Sequence, residues 1–139
     1  MGELTLHEVT VRYGSTTVID GLDWSVGASG SGVAALLGPS GCGKSTLLRA
    51  IAGLQPLAAG TVAWDGQDLA QVPVHRRDFG VVFQDGQLFS GRTVAANIAY
   101  GLRMRKWPRA QIDARVAEML ELVQLPGAGD RRVTGLSGG

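Results

Sequence analysis

Leu36-Leu37-Gly38-Pro39-Ser40-Gly41-Cys42-Gly43-Lys44-Ser45-Thr46 is the stretch that decides the fold of this 139-residue chain. It holds G-x-x-x-x-G-K-[ST], with an apolar run directly before it and an apolar helical pattern directly after it. Backbone N–H groups of Gly41, Cys42, Gly43 and Lys44 are thereby expected to face the β- and γ-phosphates of a nucleotide. Glycines are needed there because a Cβ would block the approach and the dihedrals. Lys44 reaches the β/γ oxygens as a mobile point charge, and the Ser45 hydroxyl is the expected ligand for Mg²⁺. The helix that follows aims its positive end at the anion.

Moving outward, Val33 to Leu37 reads as a strand buried on both faces of a parallel sheet. Leu47, Leu48, Ile51 and Ala52 have helical spacing that Gly53 ends. Towards the N-terminus, Leu4 and Leu6 alternate, then Val9, Val11 and Tyr13 alternate in the opposite phase. That switch predicts a strand with a bulge near His7-Glu8. Gly14-Ser15 turns the chain, and Val18, Leu22, Trp24 and Val26 form a second strand of an antiparallel ribbon. Gly27 to Gly32 reads as a surface turn. Beyond the loop helix, Thr61 to Trp64 and Asp65-Gly66 predict another hairpin, and Gly80 to Phe83 a second short buried strand. Val94, Ile98 and Leu102 then suit a helix capped by Thr93. Ile112, Val116, Met119, Leu120 and Val123 make a helical stripe opening after Pro108 and closing before Pro126. The expected class is α/β: a ribbon, a P-loop core, then a helical segment.

Acidic and basic side chains nearly cancel, 12 against 13, so no broad field favours nucleic acid or an anionic membrane. The cluster Arg103, Arg105, Lys106 and Arg109 beside Trp107 reads as the solvated end of one helix and the start of the next. His7 and His75 read as surface histidines. The lone cysteine, Cys42, excludes an internal disulfide and points to a reducing compartment. No apolar stretch approaches the roughly 20 residues that cross a bilayer, so a soluble chain of the cytosol is expected.

Other residues narrow the reading. Gly38 to Thr46, followed by Val82-Phe83-Gln84-Asp85 and by Leu136-Ser137-Gly138-Gly139, closely resemble the ATP-binding subunit of ABC transporters. The segments His75 to Gly80, Leu88-Phe89 and Thr93 to Ile98 fit as well, and the whole looks most like the importer branch handling ferric iron, thiamine, polyamines, sulfate or phosphonates. The resemblance implies ATP and Mg²⁺ held at Tyr13, Gly38, Pro39, Ser40, Gly41, Cys42, Gly43, Lys44, Ser45, Thr46 and Gln84. Tyr13 stacks on adenine in that reading. Gln84 reaches Mg²⁺ or the attacking water, which makes Lys44 and Gln84 the catalytic candidates and Ser45 and Gln84 the metal candidates. Ser137, Gly138 and Gly139 would bind the γ-phosphate of a nucleotide held by a second ATP-binding subunit, giving a head-to-tail dimer.

Transmembrane permease subunits are the other implied partners, and the implied location is the cytoplasmic side of the membrane, peripheral through them. A family ATPase acting on ribosomes or DNA is the alternative, as is a nucleotide-binding module without turnover. The chain departs from the pattern in Ser90-Gly91, where proline-histidine is common, and in the long Gly27 to Gly32 turn. The aspartate strand, catalytic glutamate and switch histidine that follow the signature are absent from these 139 residues. The expectation is therefore a partial domain: residues 1–89 as ribbon and P-loop core, 90–139 as helical subdomain up to the signature. Such a fragment would be marginal in stability and inactive in hydrolysis.

Overall fold

The structure is a computed structural model describing residues 2–27 and 33–135. Contacts divide the chain between Val82 and Phe83 into two units, each with its own hydrophobic core.

The first unit is built on an antiparallel sheet of four strands: β1 (Leu4–Tyr13), β2 (Thr16–Val26), β3 (Ala59–Trp64) and β4 (Gln67–Asp68), in the order β2-β1-β3-β4. The phase switch in β1 is a bulge, as expected. Leu6 faces Val62 of β3 and His7 faces Thr61, after which the register resumes at Thr10 opposite Ala59. Glu8 sits at φ 48°, and the twist returns Val9 and Val11 to the core. Asp23 of β2 braces this bulge. Its Oδ1 accepts the Glu8 N–H at 2.9 Å and lies 2.9 Å from His7 Nδ1.

The Glu8 amide, and after it the His7 ring, hold the Asp23 carboxyl below the usual carboxylate value. A depressed native pKa stabilises above the ordinary carboxylate pKa, and that contribution is lost as pH falls through the native value. Urea midpoints recorded from neutral pH down to about 3 should therefore fall on the acid side. Asp23→Asn should flatten part of that slope, and an unchanged slope would show that the brace is silent.

A second irregularity, at Gly21 (φ 57°) in β2, is absent from the sequence reading. Its N–H donates 3.0 Å to the hydroxyl of buried Thr10. The Asp65-Gly66 turn has positive φ at both residues, the conformation that Asp-Gly favours between paired strands. Helix α1 (Lys44–Ile51) lays Leu47 and Ala50 into the core with Leu4, Leu6, Val9, Val11, Val62 and Leu69.

Two expected strands are corrected. Neither Val33 to Leu37 nor Gly80 to Phe83 forms a strand. Only Leu36 of the first run packs on the core, while Val33 and Leu37 are 82% and 93% exposed, and Val82 is 99% exposed. A buried parallel strand exists through ladder bonds to neighbours on both sides, and among the described residues no strand lies beside either run. Gly27 closes β2, and residues 28–32 lie outside the described residues.

In the second unit, α2 (Val94–Met104) and α3 (Arg109–Leu122) enclose Val94, Ala99, Ile112, Val116, Leu120 and Ala128. Thr93 caps α2 as expected, its hydroxyl accepting the Ala96 N–H at 3.2 Å. Val123, placed in the stripe by periodicity, is the exposed C-cap residue of α3. The basic cluster from Arg103 to Arg109 occupies the α2–α3 turn and is exposed.

Candidate functional site

The chain turns at Ser40-Gly41 and enters α1 through Gly43. Gly41 and Gly43 hold φ of +81° and +96°, the left-handed region that glycine tolerates. Gly43 also needs its bareness, because a Cβ there would sit 3.0 Å from Val18 Cγ1 and 3.4 Å from the Val18 carbonyl oxygen on β2. The loop is thus packed closely onto the ribbon at Gly43.

As the N-cap of α1, Gly43 has no side chain to accept a helix amide. The first turn-to-turn bond runs from Leu47 N to Gly43 O at 2.8 Å. The N–H groups of Lys44, Ser45 and Thr46 therefore have no preceding carbonyl to bind. No acidic residue stands in the first turn to neutralise that end. Over the same end, the Lys44 ammonium donates to the carbonyls of Gly38 at 2.8 Å and Pro39 at 2.6 Å, with Cys42 Sγ 3.5 Å away. The Lys44 ammonium and the uncapped amides of Lys44, Ser45 and Thr46 thus lie at one helix start, where Ser45 is exposed and Lys44 and Thr46 are half-buried. Uncapped helix-start amides beside a lysine are donors of the kind that suit an anionic ligand.

The same residues fit Mg²⁺ in only one way. Among the described residues no group of three or more His, Cys, Asp or Glu can hold a metal. A cation here would rest on the Ser45 hydroxyl, phosphate oxygens and water, as Mg²⁺ does beside nucleotides.

Tyr13 ends β1 opposite Thr16 and is 44% exposed as a residue. The hairpin that displays it also supplies Val18 and Ile19 to the Gly43 contact. Gln84 does not follow a strand. It is an exposed turn residue in the second unit, where Gly86 N donates 3.2 Å to Phe83 O. Ser137, Gly138 and Gly139 lie outside the described residues. His75 stands exposed on a 3₁₀ turn (Val74–Arg76).

Two arrangements have no trace in the sequence reading. Asn97 clamps Phe89, accepting its N–H at 2.8 Å and donating to its carbonyl at 3.2 Å. Arg77 spreads its guanidinium over three carbonyls from two segments. Neither leaves a periodic pattern, since each is a side chain serving distant backbone.

The family model described as ABC transporter matches residues 19–139. The chain is 57% identical over 136 residues to the Fe(3+) ions import ATP-binding protein FbpC of Streptomyces coelicolor, a match covering 98% of this chain and 38% of that protein. It is 52% identical to the sulfate/thiosulfate import ATP-binding protein CysA of Thermosynechococcus vestitus, covering 98% and 40%. It is 44% identical to the spermidine/putrescine import ATP-binding protein PotA of Aggregatibacter actinomycetemcomitans, covering 98% and 36%. The chain thus spans about two-fifths of the length of these curated relatives.

Proposed function

This chain belongs to the ABC transporter family, and on that premise we propose that it carries the nucleotide-loading part of an importer's ATP-binding subunit. The supporting observation is the Lys44 ammonium drawn across the loop by the Gly38 and Pro39 carbonyls, at the uncapped start of α1. Gly38 to Thr46 take the phosphates, with Lys44 on the β/γ oxygens and Ser45 on Mg²⁺. Tyr13 stacks on adenine from the hairpin end, and Gln84 serves the metal or the attacking water. Ser137, Gly138 and Gly139 close over the γ-phosphate of a second copy, head to tail.

In this reading residues 1–89 act as ribbon and P-loop core and 90–139 as helical subdomain. Closure of the dimer drives transmembrane permease subunits from the cytoplasmic face, and ATP hydrolysis belongs to the assembled subunit. Relatives named for ferric, sulfate and polyamine import support the importer branch.

Fluorescence titration of the 139-residue chain with a labelled ATP and magnesium is expected to show weak binding. Phosphate release should stay at the Lys44→Ala background. Absence of nucleotide binding overturns the reading, and turnover that Lys44→Ala abolishes overturns its assignment of hydrolysis to the assembled subunit.

A further inference from the structure

We propose that Arg77 is a positioning residue for the phosphate loop, acting through α1 without touching the nucleotide. The proposal rests on the nucleotide-binding reading above.

A helix leaves its last carbonyls without partners, and most at the end of α1 are served locally. Ala52 N donates to Leu48 O at 3.1 Å, Gly53 N to Ala50 O at 3.0 Å, and Leu54 N to Arg49 O at 2.8 Å. The Ile51 carbonyl is served from elsewhere, by Arg77 Nη1 at 3.0 Å. The same guanidinium donates from Nε to Val72 O at 3.0 Å and from Nη2 to Leu69 O at 2.9 Å. Leu69 is buried in the core, and its own N–H is fixed to Val62 O of β3 at 2.9 Å. One planar fork therefore ties the end of α1 to the turn hanging from the sheet. A cation at a helix C-terminus is also the favourable sign.

The other end of α1 bears Gly43, pressed on Val18. The helix is thus held at two points about 12 Å apart, its eight residues rising 1.5 Å each. A shift of about 1 Å at Ile51 would tilt the amides of Lys44, Ser45 and Thr46 by roughly 5° over that lever. Pivoting about Gly43 by that angle carries the Thr46 end of the first turn by about 0.4 Å, close to the roughly 0.5 Å within which binding groups must be held. Gly53 belongs to the device. At φ +79° it has no Cβ, and one built there would fall 2.6 Å from Arg77 Cζ.

The test measures the dissociation constant for labelled MgATP at a temperature where circular dichroism shows each variant folded. Arg77→Met is expected to weaken binding about tenfold, the equivalent of about one lost hydrogen bond to the phosphates. Arg77→Lys should recover only part, because one ammonium cannot serve three carbonyls in a plane. Gly53→Ala, which keeps Arg77 but displaces its guanidinium, should weaken binding in the same direction. The double variant should be no worse than the weaker single one, the non-additivity of residues acting as a unit. Where Arg77→Met does not fold, Arg77→Lys and Gly53→Ala decide the matter. A lowered thermal midpoint with affinity within twofold of the parent would make Arg77 a stabilising residue only and overturn the proposal. A parent protein that fails to bind MgATP would overturn the nucleotide reading itself, and this proposal with it.

Discussion

Lys44→Ala is expected to weaken MgATP binding by about ten- to hundredfold, the range for losing charge-assisted hydrogen bonds to a phosphate. The ammonium is the loop's fixed positive charge, 2.8 Å and 2.6 Å from the Gly38 and Pro39 carbonyls. In the proposed binding mode phosphate oxygens compete for those same three N–H donors, so the side chain would move only a short way to bind. Its removal takes away the charge and leaves the helix amides. Residual weak binding is therefore part of the expectation. Lys44→Arg should not restore the parent affinity, because a planar fork cannot replace a compact ammonium between two carbonyls. Lys44 contributes nothing to the buried core, so the thermal midpoint without nucleotide should stay close to the parent's. Undiminished affinity in Lys44→Ala would remove the loop from the binding site.

Gly60→Ala is expected to be the most damaging single substitution in the sheet, at about 3–5 kcal/mol. Gly60 lies on β3 opposite the β1 bulge, at φ +85°. An added Cβ would run into the Glu8 carbonyl oxygen, and would stand 2.5 Å from both the Glu8 carbonyl carbon and the His7 carbonyl oxygen. Those are backbone atoms of a strand whose Val9 and Val11 are fully buried. They cannot swing aside as a flexible side chain would, so the bulge or the register must yield. Gly66→Ala is the control: its φ is +76°, but nothing stands within 4 Å of a Cβ there. It should cost only the dihedral penalty, about 1 kcal/mol. Urea midpoints of the two variants compare the terms directly. Equal losses would show that the β1–β3 contact gives way freely.

Much of this architecture was legible in the chain because the signals are local. The phase change from Leu6 to Val9 announced the bulge, since strand side chains alternate with a period of two. Asp65-Gly66 announced its turn, Thr93 its cap, and Pro108 the start of α3. The glycine turn into α1 was legible because Gly41 and Gly43 must stand at fixed spacing for backbone reasons. What failed was what depends on remote partners. Val33 to Leu37 has the composition of a buried strand, but composition cannot supply a neighbour to pair with. Gln84 inherited a strand end from the same assumption and stands on a turn instead. Arg77 and Asn97 stood only inside segments matching the family, with no sign of their partners, because what they bind lies 5 to 26 residues away in Arg77's case and 8 in the Asn97–Phe89 clamp.

The two separate cores give each unit a private optical reporter. Trp24 and Trp64 belong to the first, with Trp64 edge-on to Phe79 at a centroid distance of 5.4 Å, while Trp107 belongs to the second. Replacing Trp107 by phenylalanine leaves indole emission from the sheet alone, and replacing the other two leaves emission from the helical pair. Overlaying the two melting curves then measures, in one cuvette experiment, whether a single cooperative transition governs the whole polypeptide.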